Sequence, residues 1–503
     1  MGWLQRFSGR ARGVSSVIRV GASQRRAGSA SAFMRAFYES AEPGGDDAKH
    51  WTKAGSFSAR QINSPEVRET LRNRCRFEVA NNSMARGIVD TLADTLIGDG
   101  PRAQIADDES LSREDAQAVE RAWNDWCDDI NLWEKLRTGR KAKAHDGEIF
   151  FVRTTNQALG GITLDIVPVE AERVAHPRQV DRDPREVDGI RFDAAGNPSE
   201  YRVLRYHPDD NLLGIDVDEH DWVDAGDVIH YFTRDRAGSV RGIPDLTPAL
   251  SGFVNLRRFT QAVIKSARTA ASMSKVIQSD LPVDADGEID SADPYDEIEI
   301  PENHALVLPE GWKLNGMKAE QPTTTFGEFR RHVANEIGRC LGMPVNLVLA
   351  DSSQHNYASG KLDHATWFQK LRVDRQEVRT KILNRIFLWW LEEAQRTDVL
   401  PQAARRARPP IRPTWTWPTP QHADPSKEAN AMKVRLETGV TTLVEECAAL
   451  GHDWQDVLEN RERVQRFASR LGITVAPNTP EARPPASPEG SGQGVNTRED
   501  DDE

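Results

Sequence analysis

The sequence predicts an α+β chain in which a mixed helix-and-strand domain gives way to long helices rather than to a second large sheet. Three observations carry that reading. Apolar residues recur at helical spacing from Ser64 to Ala144, then switch to a period of two between Gly147 and Phe232. Two long amphipathic stretches, Gly242 to Ile277 and Phe326 to Leu341, bracket a segment rich in Pro, Gly and Asp. A third long amphipathic stretch and several short ones follow, from Ser359 to Arg470.

The first segment, Met1 to Tyr38, holds Arg6, Arg10, Arg12, Arg19, Arg25, Arg26 and Arg35 and no acid before Glu39. It reads as part of a mobile basic arm, residues 1–63. The same composition suits an organelle transit peptide, which would make the chain a mitochondrial matrix protein. Val14 to Val20 is too short for a secretory signal and is broken by Arg19. No apolar run of about 18 residues exists, so no membrane-spanning helix is expected.

Glu66, Val67, Thr70 and Leu71 begin a helix after Ser64, and Met84 to Ala93 carries the apolar face of a second. Gly98-Asp99-Gly100-Pro101 stops it. Ser112 to Asp128, with Trp123 and Trp126, and Leu132 to Ala144 read as two more helices. Gly147 to Thr154 and Ile162 to Val169 alternate like strands. Ile190 to Asp193 and Glu200 to Tyr206 pair as a hairpin around Ala195-Gly196-Asn197-Pro198, and Val228 to Phe232 is a further strand. After Gly242-Ile243-Pro244, the positions Ala249, Phe253, Leu256, Val263, Ala267 and Ala270 predict a helix to about Ile277. That length corresponds to roughly 45–50 Å at about 1.5 Å per residue.

Short β-like runs, Glu297 to Ile300 and Ala305 to Leu308, fall in the bracketed segment Gln278 to Thr323. In the third long helix, Ser359 to Gln395, the buried face is expected at Leu362, Ala365, Phe368, Leu371, Val378, Ile382 and Ile386. Thr414 to Thr419 alternates like an edge strand closed by Pro418. Lys427 to Glu437, Leu443 to Ala449 and Trp454 to Arg470 read as a small helical bundle. Pro477 to Glu503 is rich in Pro, Gly, Ser and acid, and buries too little apolar surface to order itself.

At 503 residues the chain is long enough for two or more domains, and its mean hydropathy of −0.61 is that of a soluble protein. The net charge of −13 argues against a protein that coats nucleic acid. Cys75, Cys127, Cys340 and Cys447 are scattered and read as reduced thiols.

No Gly-x4-Gly-Lys-Ser/Thr loop, His-Glu-x-x-His helix or Gly-x-Ser-x-Gly elbow is present. His355 and His364 do not share a helical face, and His304 and His332 show no partner pattern. No catalytic residue, cofactor site or metal site is therefore expected. The one competing cluster is His145-Asp146-Gly147-Glu148. It offers ligands for a metal-dependent nuclease or phosphodiesterase, the alternative function. It also reads as a turn leading into a strand, with Gly147 at a backbone angle other residues avoid. Arg258, Lys265 and Arg268 fall at i, i+7 and i+10 of the first long helix. They form a basic stripe able to touch phosphate or to pair with acids on a neighbouring subunit.

Five segments in order carry a family resemblance. They are the Arg-rich helix with Asn-Asn and a Gly-x-Gly turn in Val67 to Gln104, and Val228 to Phe232 followed by Arg241-Gly242-Ile243-Pro244. The others are Gly342-Met343-Pro344 with Asn356-Tyr357-Ala358-Ser359, then Asp424-Pro425-Ser426-Lys427-Glu428-Ala429, then Gly451-His452-Asp453. Together they resemble the lambda-type portal proteins of tailed bacteriophages, over about Trp51 to Ile473. Ala358-Ser359-Gly360 departs from the family's more usual Ser-Ser-Ala.

The resemblance implies a portal fold, assembled as a ring of most often twelve subunits at one capsid vertex of the virion. It divides the chain into the arm (1–63), a wing (64–240), stem helix 1 (241–277), a clip (278–323) and stem helix 2 (324–343). A tunnel loop (344–358), a long wing helix with a return strand (359–420), a helical crown (421–473) and a disordered acidic tail (474–503) follow. Asp351, Ser352, Ser353, Gln354, His355, Asn356 and Tyr357 map to the part of the loop that faces DNA. Such a ring conducts double-stranded DNA without sequence preference, during packaging and ejection. An acidic chain and a loop without fixed cations suit that sliding. The implied partners are further copies of the chain, the major capsid and scaffold proteins, the terminase large subunit and a head-tail adaptor. No membrane is involved, and assembly would take place in the host cytoplasm.

Overall fold

The structure is a computed structural model that describes residues 49–50, 52, 54–106, 111–176, 185–210, 219–272, 276–279, 312–315, 326–407, 410–418, 425–450, 452 and 454–473. The basic segment Met1 to Tyr38, the acidic tail and the β-like runs at 297–300 and 305–308 lie outside the described residues. The chain divides into two units, Met1–Ile62 and Asn63–Glu503. In the first, a helical turn, Ala59–Ile62, is preceded by Ser58, whose amide donates to Gln61 Oε1 at 3.0 Å.

The second unit holds the elements that follow. Helices α1 (Pro65–Asn81) and α2 (Ser83–Leu96) are separated by Asn82, whose side chain accepts from Met84 N and caps α2. Strand β1 (Arg102–Gln104) leads to α3 (Arg113–Asp129) and α4 (Leu132–His145). Strands β2 (Glu148–Thr155), β3 (Leu164–Val169), β4 (Glu186–Val187), β5 (Ile190–Phe192), β6 (Pro198–Leu204), β7 (His220–Asp224) and β8 (Val228–Phe232) follow. They make two antiparallel sheets, ordered β3-β2-β8 and β4-β5-β6-β7. The hairpin turn between β5 and β6 is fixed by Asp193, whose Oδ1 accepts from Ala195 N and Asn197 N, with Gly196 at φ +86°.

Next come α5 (Leu250–Ser272), β9 (Val276–Ser279), β10 (Trp312–Asn315), α6 (Phe326–Arg339) and α7 (Val345–Leu349). Helix α8 (Tyr357–Val378) runs through a π-turn (Arg379–Leu383) into α9 (Asn384–Ala394). Helix α10 (Gln402–Arg406) and strand β11 (Thr414–Thr416) precede α11 (Pro425–Glu437), α12 (Leu443–Ala449) and α13 (Trp454–Arg470). The return strand β11 pairs with β1, Ala103 opposite Trp415.

The main core is aromatic. Trp123 of α3 meets Trp126, Phe387, Trp390 and Trp415 at ring-centroid distances of 5.2, 5.1, 5.3 and 5.7 Å. These tilted and edge-on pairs add to the burial of large apolar area. Three indoles also lock elements together through their N–H groups, which donate from Trp126 to Leu164 O, from Trp415 to Asn384 Oδ1 and from Trp417 to Leu96 O. A smaller core of Phe150, Val169, Val174, Ile190, Tyr201 and Val228 joins the two sheets.

Between the sheets and α1 lies a buried ionic network. Glu148 is completely buried, and its oxygens accept from Arg241 Nε at 2.8 Å, His230 Nε2 at 2.8 Å and Gly242 N at 2.9 Å. The Arg241 guanidinium also reaches the carbonyls of Ala171, Val174 and Asp188 at 2.7–3.0 Å. With its Nη2 contact to Glu148 at 2.7 Å, all five of its donors are engaged. Helix α1 supplies a second layer, Arg68, Arg72 and Arg76, spaced four apart on one face. They pair with Asp188 at 3.1 Å, Glu172 at 3.0 Å and Asp146 at 2.6 Å. The network brings backbone to backbone: a Cβ on Gly242 would lie 2.1 Å from Gly147 O.

Three expectations change. The first long helix was expected over 241–277 and occupies only Leu250–Ser272, about 35 Å of helix. Residues 241–246 are held off the helix by the Glu148 network and by Leu246 N donating to Ala144 O at 3.2 Å. At the other end, Val276 and Ile277 join an antiparallel ladder with 312–315. The expected loop 344–358 opens with helix α7. In α8, Leu362 is 71% exposed and Ala365 is also exposed, whereas Trp367, Leu371 and Val378 are buried.

Burial alone would raise the Glu148 carboxyl, but Arg241 and His230 hold it well below its ordinary 4.5. Burial likewise pushes the His230 imidazole below 6.5, against its bond to Glu148. In both cases the unfolded chain binds more protons than the folded one as pH falls, so acid destabilises. We expect unfolding free energy to be level near neutral pH, to fall as pH drops below about 6.5, and to fall further below about 4.5. Urea denaturation across that range measures it. Glu148→Gln should cost about 3–5 kcal/mol by leaving Arg241 buried and uncompensated. Gly242→Ala should cost more than about 3 kcal/mol, because backbone rather than a side chain must move.

Candidate functional site

Helices α5 and α6 form an antiparallel pair. Phe259 meets Phe329 at 4.6 Å and Phe326 at 6.0 Å, while Gly252 lies under Ile337. Gly252 is what permits that approach, since a Cβ there would come within 3.0 Å of Ile337 Cγ1. Arg258, Lys265 and the start of α5 are described with their side chains, and Arg258, Lys265 and Arg268 are all exposed. At about 100° per residue they lie on the side of α5 roughly opposite Gly252, Leu256 and Phe259. The stripe therefore points away from α6.

Helix α6 stops at Gly342, which has φ +68°. Gly342 N donates to Arg339 O at 3.1 Å and Met343 N to Gly338 O at 3.0 Å, the paired bonds of a Schellman cap. The chain then turns tightly over Gly338, where a Cβ would meet Met343 O at 2.5 Å. Pro344 starts α7, and Ala350 at φ +51° ends it.

The segment Asp351 to Tyr357 is built by three local devices. Asp351 Oδ1 accepts from Ser353 N at 2.9 Å, and those hydrogen bonds hold its carboxyl below the ordinary value. His355 is clamped from both sides: Arg331 Nη2 lies 3.2 Å from Nδ1, and Asp363 Oδ2 lies 3.1 Å from Nε2. Arginine only donates, so Nδ1 accepts and Nε2–H donates to Asp363. Finally, Asn356 and Ser359 form a capping box, with Ser359 N to Asn356 Oδ1 at 2.9 Å and Asn356 N to Ser359 Oγ at 3.2 Å. Ser352, Ser353 and Gln354 stand exposed between these fixed points.

The loop and the basic stripe are not brought together: among the described residues no hydrogen bond or ion pair links them. Arg331 and Asp363, which hold His355, were missed in the sequence, because neither neighbours the loop in the chain.

The His145-Asp146-Glu148 cluster is not arranged for a metal. Asp146 is engaged by Arg76 at 2.6 and 2.9 Å and by His145 at 2.8 Å, and Glu148 faces Arg241. A divalent cation would have to displace two guanidinium groups. Gly147 does take the expected angle, φ +91°. Among the described residues Glu170, Glu172 and His207 also lie within ligand reach of one another, but Glu172 is already paired with Arg72 and Arg76.

The family profile described as phage portal protein, lambda family, matches residues 44–369. Portal protein B of Escherichia phage lambda is 21% identical over 446 residues, spanning 78% of this chain and 83% of that protein. The portal protein of Escherichia phage N15 is 22% identical over the same length and shares. Among solved structures, a chain in the neck of an empty gene transfer agent particle, computed with C6 symmetry, is 14% identical with a TM-score of 0.41. That match covers 75% of this chain and 92% of that one.

His355→Phe should free the loop from α6 and α8 while keeping a ring of similar bulk. Amide exchange at residues 352–354 should quicken about tenfold, a loss of about 1.4 kcal/mol of local protection. Asn356→Ala should loosen the first turn of α8 by about 1 kcal/mol, read as faster exchange at residues 358–360.

Proposed function

The chain belongs to the lambda family of phage portal proteins, and from that premise we propose that copies of it close into a ring whose loop Asp351–Tyr357 lines the path of double-stranded DNA. A portal protein is a structural part of the virion and not an enzyme. The observation that carries the loop reading is the way the segment is held. Its base is pinned by His355 and the Asn356 cap, while Ser352, Ser353 and Gln354 project without a fixed cation among them. Short neutral hydrogen-bonding groups touch phosphate without creating a deep electrostatic well, so DNA is guided and not trapped.

Self-association is supported by what a lone subunit leaves uncovered. Phe259, Ile264 and Phe329 on the α5–α6 pair, and Leu362 and Val373 on α8, are all exposed. Val464, Phe467 and Leu471 add a further apolar stripe on α13 and just beyond it. Exposed apolar groups in runs of this kind mark surfaces that another protein covers. In this reading α5 and α6 are the stem, the segment between them is the clip that meets the terminase and then the adaptor, and α11 to α13 are the crown. Capsid and scaffold proteins would meet the wing, and assembly would begin in the host cytoplasm.

Replacing Asp351, Ser352 and Ser353 by arginine should sharply reduce packaged DNA per particle while rings still assemble, measured by particle DNA content and electron microscopy. Normal packaging by those rings would remove the loop from the DNA path. The purified chain with Mg²⁺ or Mn²⁺ should leave plasmid DNA intact on a gel. Cleavage that His145→Ala abolishes would revive the nuclease alternative.

A further inference from the structure

A cavity of about 290 Å³ opens where β8 meets the π-turn after α8. Arg234, Lys381 and Arg385 line it together with Thr380, His230 and Tyr201, and among the described residues no carboxylate does. The π-turn is the unusual element here. Such turns recur at functional sites, because the extra residue re-aims the side chains that follow.

Two of the three cations, Arg234 and Arg385, have no carboxylate at ion-pair distance among the described residues. Lys381 Nζ lies 2.6 Å from Glu377 Oε1 and donates to Phe232 O at 3.3 Å, while Lys143 takes the other Glu377 oxygen at 2.9 Å. Arg385 donates to the carbonyl of Ala225 and lies over the Trp389 ring. The nearby acids, Asp224 and Asp227, act on Arg385 only at a distance, and Asp227 also faces Arg153 at 3.6 Å. Arg234 is exposed above the Phe232 ring, with no carboxylate partner among the described residues. Burial holds the Arg385 guanidinium below its ordinary value, as expected of a cation short of anionic neighbours. A small, partly apolar cavity lined by three cations and no described carboxylate suits an anion.

We propose that this cavity captures carboxylates of the acidic run Glu499-Asp500-Asp501-Asp502-Glu503 of the chain itself, in the same copy or a neighbouring one. The occupant must carry several negative charges on a thin backbone. A cavity of this size admits side chains but not a duplex, whose major groove alone is about 12 Å wide. The run has that character, five consecutive acids in a chain segment with little apolar bulk. About 26 residues separate it from Ile473, the last described residue, a tether of up to roughly 85–95 Å. Guanidinium–carboxylate pairs at the mouth would provide the recognition. This inference does not depend on ring closure or on the DNA path.

The test uses the full chain with its own run neutralised, Glu499→Gln, Asp500→Asn, Asp501→Asn, Asp502→Asn and Glu503→Gln. The probe is a fluorescein-labelled peptide of residues 491–503, titrated by anisotropy at about 0.1 M salt, where screening over roughly 10 Å suppresses long-range attraction. Saturable binding is expected. It should weaken at least tenfold on adding Arg234→Glu, whose exposed position leaves the melting temperature unchanged, and vanish for a peptide lacking the acids. Absence of saturation, or equal binding by the Arg234→Glu chain, would overturn the proposal. Displacement of the peptide by an equal concentration of inorganic phosphate would also overturn it, by making the cavity a site for any simple anion.

Discussion

The interaction on which the fold turns is the buried pair of Glu148 and Arg241. A carboxylate with no solvent contact is tolerated only when its charge and its lone pairs are met, and here a guanidinium, an imidazole and a backbone amide meet them. The same guanidinium collects three carbonyls, those of Ala171 and Val174 from the segment joining the two sheets and that of Asp188 from the β4–β5 turn. One side chain therefore fixes β2, the loops at Ala171–Val174 and Asp188, and the start of the path into α5. Arg68, Arg72 and Arg76 extend that ionic layer outward and tie α1 to it. Buried ion pairs are rarely large net stabilisers, and specifying one geometry is the role that best explains this one.

That geometry passes to the helical half of the molecule. Because Gly242 rests against Gly147 and Leu246 N bonds to Ala144 O, the chain reaches α5 through a fixed turn, and α5 leaves the sheet from a defined point. Phe259 and Gly252 then set the register of α6. The Schellman cap at Gly342 turns the chain over Gly338, and His355 returns the next segment to α6 through Arg331 and to α8 through Asp363. The loop proposed to line the DNA path is thus positioned by a chain of contacts that begins at Glu148. Rigid support of a small polar loop is the arrangement expected of a guide that must keep its shape while a polymer moves past.

Much of this was legible in the sequence, for reasons that differ between elements. The alternation in Glu148–Thr155 and the helical spacing in Ser83–Leu96 are local signals, and the elements lie where those signals put them. Asn356 was read as part of the loop, and its role as the cap of α8 shows only in the structure. Glu148 and Arg241 did not announce each other. They are 93 residues apart, and their pairing depends on how β2 and the segment after β8 meet. The long helix was overestimated because helical spacing continues through Ala249 while tertiary bonds hold residues 241–246 off the helix, and Thr247–Ala249 form a 3-10 turn. Leu362 and Ala365 obey the apolar period of α8 yet face outward in a single subunit. Periodicity identifies a face to be covered but not which chain covers it. The basic stripe on α5 shows the same limit, since spacing placed the three cations together and left their partner open.

Whether this portal-family chain builds a ring is tested most directly by native mass spectrometry with negative-stain imaging of the chain expressed alone. Closed rings of about twelve copies with a central hole are predicted, held together by the apolar faces that the single subunit leaves bare. Monomers or dimers across a range of salt and protein concentration, with those faces still accessible to a hydrophobic dye, would contradict it.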